Sequence, residues 1–488
     1  MAREDENDKN RNKMEENQVA LGEDTDVVVG LDIGTTKVVA VVGCRDKKSG
    51  KIRILGYGRT ESVGVVRGAV INLEKTAQAI HVAVEEASAN SEIDIKEVYV
   101  GIAGQHIRSY PSETSYVRED RERVFTRQEI EDLKRQMSCS KVMAGERIIH
   151  VIPQTFEVDG VADILEDDVV GMVGANVKVS FNIVTADAGA MRNIQRSVEM
   201  AGLELRGFIL EPLVSAEAVL DENDKAAGVV LVDIGGGTTD VAIFKNSILC
   251  HTAVIPLAGN AITSDIRVGC NILPRQAESL KVKFGSALPS ENSDEQIVSI
   301  PGLKGRPAKE ISLKQLAGII GARVEEIFGS VACEINNCEC DLDRFIGGVV
   351  LTGGGAKLRH IDKVCEYLTQ LNTRLGVPKE HITSDSPKEL GDPVFATAIG
   401  LVIYGIRCEE ENKRFHVALD DLREDEGPIQ EIEERREPVH EAPSMEPGEG
   451  TEDLDAGSKR KGRRWKGFTV GNLTNYIVRF FEDDDDVR

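Results

Sequence analysis

Aromatic side chains are scarce, at 4% of 488 residues with one Trp. A chain so poor in them is expected to carry long polar segments beside its folded part. Long apolar runs are also missing. No stretch approaches the roughly 18–20 residues that a helix needs to cross a bilayer, so no transmembrane helix is expected. The opening MAREDENDKN is acidic and has no apolar segment, which argues against a signal peptide. Positive charge is in deficit: 59 Lys and Arg stand against 83 Asp and Glu, a formal net charge of −24. That balance disfavours nucleic acid as a main partner, because phosphate backbones call for a basic surface. The nine cysteines are odd in number and scattered, which suits reduced thiols in a cytosol rather than a disulfide framework. Cys333, Cys338 and Cys340 cluster, but their spacing is not that of a zinc ribbon and no His adjoins them. No metal site is expected there.

The chain does carry one dense stretch, AGVVLVDIGGGTTDVAIF, from Ala227 to Phe244. An apolar run, Val229 to Val232, reads as a buried strand ending at Asp233. Gly235, Gly236 and Gly237 then force a tight turn, and Thr238, Thr239 and Asp240 lead into a returning strand. Consecutive N–H groups in such a turn form a cradle for phosphate. A carboxylate at its edge could hold Mg²⁺ through water. A Gly-rich turn alone is equally an ordinary hairpin, but this one has a second copy. Val28 to Val42 reads VVGLDIGTTKVVAVV. In the order of residues, Asp32 pairs with Asp233, Thr35-Thr36 with Thr238-Thr239, and Lys37 stands where the later copy has Asp240. A third apolar strand ends in glycines at VVLTGGGAKL, Val349 onward. Two matching phosphate hairpins imply a duplicated domain, with a nucleotide cleft between the copies.

These motifs resemble the actin, sugar-kinase and heat-shock-chaperone ATPase superfamily, and within it the FtsA family of bacterial cell-division proteins. The resemblance rests on DIGTTK, the run YVGIAGQHI (Tyr99–Ile107), EPLVSAEAVL (Glu211–Leu220), IPLAGNAITSDI (Ile255–Ile266), AESLKVKFG (Ala277–Gly285) and VVLTGGGAKL, across roughly residues 27 to 408. It implies an α/β fold of duplicated actin-like (ribonuclease H-like) ATPase domains holding ATP and Mg²⁺ between two lobes. Gly34, Thr35, Thr36, Lys37, Gly235, Gly236, Gly237 and Thr238 would then face phosphate. Gly259, Glu278, Lys281, Gly353, Gly354 and Gly355 would face the nucleoside, and Asp32 and Asp233 the metal. Glu278 and Lys281 lie one helical turn apart and could equally be a surface ion pair. Glu211 matches a position that polarises the attacking water in chaperone and kinase relatives; it could act as general base, or simply cap or pair at the lobe interface. The resemblance implies ATP binding with weak hydrolysis or none.

The chain divides as follows. Residues 1–26 are a polar, disordered lead. Residues 27–104 and 186–222 form a first lobe, and 223–262 with 331–408 a second. Residues 105–185 are an inserted α+β subdomain, whose helix from Thr126 to Met137 opens on a capping box of Thr126 and Glu129. The run HVIPQTFEVDG (His150–Gly160) resembles the insert through which FtsA-like molecules contact one another. Helices are expected at Leu73–Ala89, Asp187–Ala201, Ser312–Asn337 and Asp392–Arg407. Gly56–Val70 is expected to continue the first sheet. Residues 263–330 form a small subdomain. In FtsA-like chains it receives the acidic tail of FtsZ, the filament-forming tubulin relative, and Arg306 and Arg323 are the candidate contacts, unless they are merely solvated charge.

Residues 409–458 are an acidic linker extended by its own charge. Composition then flips at 459–488. A basic cluster surrounds Trp465, and Phe468, Leu473, Tyr476, Ile477, Phe480 and Phe481 follow. From Leu473 on, these place one apolar face on a helix. Such a segment fits an anionic membrane surface, or a groove on another protein. The resemblance to FtsA favours the membrane, although the terminal EDDDD would be repelled by anionic lipid. The expected function is an actin-like ATP-binding division protein that polymerises on the inner face of the cytoplasmic membrane and anchors FtsZ filaments. Its rivals are another membrane-linked actin relative, such as a pilus or cell-shape adaptor, a small-molecule kinase of the same superfamily, and a chaperone-type ATPase.

Overall fold

The computed structural model describes residues 27–302, 307–338 and 345–410, all within the unit Met1–Leu422; the second unit, Arg423–Arg488, lies outside the described residues. The chain opens with β1 (Val27–Ile33) and β2 (Lys37–Arg45), a hairpin buried along almost its whole length. Its near-continuous Val and Ile suit strands covered on both faces. β3 (Ile52–Glu61) extends this hairpin, and a small ribbon follows, β4 (Val65–Val66) and β5 (Ala69–Val70). The sheet therefore stops at Glu61 rather than running to Val70, because Gly64, Arg67 and Gly68 turn the chain through positive φ. The helix Leu73–Ser91 leads to β6 (Glu97–Ile102), which pairs parallel to β1.

The insert comes next. It comprises β7 (Ile107–Val117), the helix Arg127–Ser138, β8 (Glu146–Val158), β9 (Val161–Ile164) and β10 (Asn176–Asp187), in sheet order β7-β10-β8-β9. Thr126 Oγ1 accepts the Glu129 N–H at 3.3 Å while Glu129 accepts the Thr126 N–H at 3.0 Å, so the expected capping box is present. Phe125, Phe156 and Phe181 fill a core of its own. The helix Ala188–Met200, N-capped by Asp187, returns the chain to β11 (Glu204–Leu210) beside β6. The insert touches both lobes. His150 Nε2 of β8 accepts the Leu210 N–H at 3.0 Å, on the outer edge of the first sheet. Gln154 Nε2 donates to the Leu249 carbonyl at 3.0 Å on the second.

The second lobe repeats the first. β12 (Val229–Ile234), β13 (Thr239–Lys245) and β14 (Ile248–Ile255) form an antiparallel meander; β17 (Val349–Thr352) and β18 (Thr373–Leu375) pair parallel beside it, after a hairpin β15 (Ile297–Ile300) and β16 (Lys309–Ser312) and the helix Leu313–Asn337. The orders β11-β6-β1-β2-β3 and β14-β13-β12-β17-β18 are the same sheet read from opposite ends. Register corrects one expectation. Asp32 lies opposite Val39 and Asp233 opposite Asp240, so the two turns are equal in length and superpose without a gap. Thr35 and Thr36 correspond to Gly236 and Gly237, and Lys37 to Thr238.

Each lobe sends a helix onto the other. The helix Glu211–Val219 leaves β11 and packs on β12 and β13; the helix Ala396–Glu410 follows β18 and packs on β1, β2 and β6. Where they cross, a Cβ at Gly400 would lie 1.8 Å from the Val214 carbonyl oxygen, so the crossing admits no side chain. Glu217 braces it, accepting from Lys225 at 2.9 Å and Arg407 at 2.5 Å. The second crossing helix begins at Ala396, because Asp392-Pro393 first makes a single 3-10 turn. It runs on to Glu410, two residues into the expected linker. Glu409 binds the Tyr99 hydroxyl and Arg206, and Glu410 binds Arg45, so these acids belong to the folded part.

Candidate functional site

Both hairpin turns close with the same hydrogen bond. The Gly34 N–H donates to the Lys37 carbonyl at 3.0 Å, and the Gly235 N–H to the Thr238 carbonyl at 2.9 Å. The turns meet face to face. A Cβ at Gly236 would lie 2.3 Å from Thr36 Cγ2, and one at Gly237 would lie 2.5 Å from Thr35 Oγ1. Above them opens a cleft with a cavity of about 1100 Å³, large enough for a nucleotide.

Thr36, Lys37, Gly235, Gly236, Gly259, Glu278, Lys281, Gly354 and Gly355 line this cleft. Gly34, Thr35, Gly237, Thr238, Gly353, Asp32, Asp233 and Glu211 are not part of that wall. The helix Gly259–Cys270 starts directly on the second turn: the Gly259 and Asn260 N–H groups donate to the Gly235 and Gly236 carbonyls at 3.1 and 2.8 Å. Lys281 Nζ reaches the Gly259 carbonyl at 3.0 Å, Thr263 Oγ1 at 2.8 Å and Glu278 at 2.8 Å. The Glu278–Lys281 pair is thus both cleft wall and the tie between the helices Gly259–Cys270 and Pro274–Phe284.

Carboxylates gather beneath the turns. Lys37 Nζ sits 2.6 Å from Asp32. Asp233 accepts from Ser215 Oγ at 2.8 Å and from Thr397 Oγ1 at 3.3 Å. Those hydroxyls come from the two crossing helices, so one carboxylate fixes both. Burial raises Asp233 above the usual carboxylate range. Asp240, opposite it on β13, keeps one buried oxygen without a partner among the described residues. Burial and the Asp233 charge lift it well above that range. Glu211 opens its helix with the side chain over Gly101, where a Cβ would stand 2.9 Å from Glu211 Cγ. It retains some accessible surface, yet dense packing and the charges of Asp32, Asp240 and Asp233 hold it well above the usual range.

Such a cluster, with an orphaned oxygen and too few cations, fits a divalent ion. No group of three or more metal-ligating side chains occurs among the described residues. Mg²⁺ needs none, since it binds through one or two carboxylates, waters and substrate phosphates. Asp32 and Asp233 remain the candidate holders. Asp240 is an additional buried acid that sequence order had set against Lys37.

The opposite wall carries no motif. Tyr57 of β3 donates to Glu389 at 2.7 Å and meets Phe395 edge-on at 5.7 Å between ring centres. These three residues line the cleft and bridge β3 to the segment before the last helix. Ser215 and Thr397 were likewise invisible in sequence, where each is a small polar residue in an apolar helix. Arg323 holds Asp265 in a bidentate pair at 2.6 and 3.0 Å and also contacts Glu326. Arg306 lies outside the described residues, as do Trp465, Phe468, Leu473, Tyr476, Ile477, Phe480 and Phe481 of the proposed membrane segment.

Comparison with known proteins agrees with this architecture. A family profile described as "Cell division protein FtsA" matches residues 230–400, and one described as "SHS2 domain inserted in FTSA" matches 104–185. Cell division protein FtsA of Pseudomonas aeruginosa is 34% identical over 400 residues, covering 82% of this chain and 94% of the relative. That of Neisseria meningitidis is 35% identical over 379 residues, covering 78% and 90%. Among solved structures, the "PilM-PilN type IV pilus biogenesis complex" matches with a TM-score of 0.56 at 16% identity, covering 78% of this chain and 98% of that one. At that identity the likeness concerns the fold alone.

Proposed function

Because the chain belongs to the FtsA family of actin-like cell division proteins, we propose that it binds ATP·Mg²⁺ in the cleft between its lobes and polymerises at the cytoplasmic membrane, where it anchors FtsZ filaments. The observation that carries the nucleotide part is the meeting of the two turns at Gly236 and Thr36 beneath the cleft. Backbone N–H groups from both copies then face one polyanion, and the carboxylates Asp32 and Asp233 share its cation. Mg²⁺ would supply charge neutralisation across the phosphates.

Glu211 supports slow turnover. Burial and the charges of Asp32, Asp240 and Asp233 raise its carboxyl well above the ordinary value, which disfavours the carboxylate that a general base needs until a cation offsets those charges. Binding across the cleft favours the closed arrangement of the lobes, the state with the better fit to the ligand. The insert rests on an edge of each sheet through His150 and Gln154, so lobe closure reaches the surface expected to contact a neighbouring molecule. FtsZ would dock through its acidic tail on the small subdomain, and residues 459–488 would hold the assembly at anionic lipid. No helix among the described residues is long and apolar enough to cross a membrane.

The test is co-sedimentation of the full chain with anionic vesicles, with and without ATP·Mg²⁺ and FtsZ filaments. The expected result is FtsZ carried down only when this protein is present, with removal of residues from Lys459 onward abolishing vesicle binding and sparing ATP binding. Vesicle binding without FtsZ recruitment refutes the tether. Unchanged vesicle binding by the truncated chain refutes the anchor.

A further inference from the structure

The cleft is a basic place on an acidic chain. Eight cationic side chains line it against four carboxylates, although the chain as a whole carries a formal net charge of −24. Half of those cations are already engaged. Lys37 is held by Asp32, Lys281 by Glu278 and Lys357 by Asp392, while Arg359 donates to the Gly285 and Phe284 carbonyls. Arg59 stands over the Phe395 ring, 6.0 Å from its centre. Lys283 is unpaired, on the same helix as Glu278 and Lys281. Lys379 and Lys388 are unpaired on the other wall. Both are exposed, both line the cleft, and neither is engaged by an ion pair or hydrogen bond among the described residues. Their neighbours Glu380 and Glu389 do not pair with them; Glu389 accepts from the Tyr57 hydroxyl at 2.7 Å.

These two lysines have a fixed seat. They stand on single 3-10 turns, Pro378–Glu380 and Lys388–Gly391, which pack on each other, and the first also packs on the helix Glu211–Val219. Backbone hydrogen bonds tie the intervening chain to β3: the Ile52 N–H donates to the His381 carbonyl at 3.0 Å, and the Thr383 N–H to the Ile52 carbonyl at 2.9 Å. Pro378 and Leu390 are buried beneath. The Lys379 stem has a bed of its own. A Cβ at Gly391 would lie 2.9 Å from Lys379 Cγ and 3.2 Å from its Cε. Gly391 has no left-handed backbone that would call for glycine; its missing Cβ is the space in which the stem lies. A stem laid down in this way leaves its ammonium at the cleft with less rotamer freedom to lose on binding.

We propose that Lys379 and Lys388 form a second anion subsite of the cleft, on the wall that carries Tyr57 and Phe395, and that it takes a small phosphate-bearing anion beside the nucleotide. This rests on the reading of the two hairpin turns as the seat of the nucleotide's own phosphates. One nucleotide leaves room: the cavity of about 1100 Å³ exceeds the roughly 300–1,000 Å³ of ordinary ligand pockets. Two ammonium groups are compact charges with several donors each, which suits the oxygens of a tetrahedral phosphate. That phosphate belongs either to a free polyphosphate or to a second nucleotide, and the lysines read the chemistry the two share.

In the experiment the full-length protein is saturated with a non-hydrolysable ATP analogue, with Mg²⁺ in excess, and titrated calorimetrically with pyrophosphate or with ADP. Wild type, Lys379→Ala, Lys388→Ala and Gly391→Ala are compared. Wild type should take up a further anion. Each lysine variant should weaken that uptake by about tenfold or more, the loss expected for hydrogen bonds to a charged group, and alter analogue affinity by less than about twofold. Gly391→Ala should weaken it too, with no charge removed, by pushing the Lys379 stem off its bed. Uptake of pyrophosphate supports the subsite with a free polyphosphate as occupant; tighter uptake of ADP, equally sensitive to the lysines, supports it with a second nucleotide. No further uptake, uptake that the lysine variants leave unchanged, or pyrophosphate that displaces the analogue overturns the proposal. An analogue that does not bind wild type refutes instead the reading of the turns, and pyrophosphate titrated into that nucleotide-free protein still tests the two lysines.

Discussion

Gly236→Ala tests whether the two turns hold their observed spacing when a nucleotide binds. The backbone of Gly236 is outside the left-handed region, so alanine adds no backbone strain. Its Cβ would meet Thr36 Cγ2 at 2.3 Å, Thr36 Oγ1 at 3.0 Å and Thr36 Cβ at 3.1 Å. Carbon atoms settle at roughly 3.5–4.0 Å, so more than an ångström must be found at the methyl contact. Thr36 must turn or the lobes must part. Overpacking of this kind costs about 1–3 kcal/mol, which is about 5- to 150-fold in affinity if binding needs this spacing. Thr36→Ser removes the methyl that clashes and keeps the hydroxyl. Alone it should be nearly neutral. Combined with Gly236→Ala it should restore most of the affinity, giving a coupling of about 1 kcal/mol or more between the two sites. Titration calorimetry with ATP·Mg²⁺ measures all four proteins, and thermal melts confirm that each is folded. Unaltered affinity in Gly236→Ala, or losses that simply add in the double variant, would refute the facing-turn geometry.

Two further outcomes follow from the helix crossing. Gly400→Ala forces a methyl against the Val214 carbonyl, 1.8 Å away, and two packed helix backbones cannot yield as a side chain does. Urea unfolding should show a loss of about 3 kcal/mol, the upper end for overpacking, and a change under about 0.5 kcal/mol would count against the crossing. Glu217→Gln leaves Arg407 without its carboxylate and buried Lys225 with only the exposed Glu222 at 3.1 Å, at a cost of about 1–3 kcal/mol near neutral pH. Burial raises the Glu217 carboxyl, but Lys225 and then Arg407 outweigh it and leave it below the ordinary value. A depressed carboxyl stabilises the fold above its unfolded value, about 4.3, and loses that contribution as pH falls through the folded one. The gap between wild type and Glu217→Gln should therefore close in acid, and a gap independent of pH would show that the charge is not what braces the crossing.

The sequence discloses those parts of the fold in which one short stretch carries several agreeing signals. β1, β2, β12 and β13 combine unbroken Val and Ile with a carboxylate and a Gly turn, and the capping box at Thr126 announces its helix. β7 is silent because it is an edge strand: it carries Pro111 and alternates Ser, Thr and Tyr rather than strong apolar residues, which only an edge tolerates. β18 has three residues, too few for any period. The site divides in the same way. Glycines and aspartates of the turns are legible because backbone geometry demands them. Ser215, Thr397 and the Tyr57–Glu389 bridge are not, since each acts only by meeting a residue far along the chain.

The mispairing of the two turns has a physical cause. Read as text, Thr-Thr matches Thr-Thr, and the later copy is two glycines longer. In the folded chain the turns are equal in length, and Thr35 and Thr36 occupy the places that Gly236 and Gly237 hold in the other copy. The contacts Gly236 to Thr36 and Gly237 to Thr35 exchange under that correspondence, so a pseudo-twofold axis passes between the turns. Two identical turns could not meet this way. With threonine in both, side chains would collide across the axis; with glycine in both, the same place would be empty. One copy must supply the side chains and the other the space. The difference that disguises the duplication in sequence is thus the condition for the duplicated halves to close on each other, and a cradle built from both halves follows from their divergence as much as from their common origin.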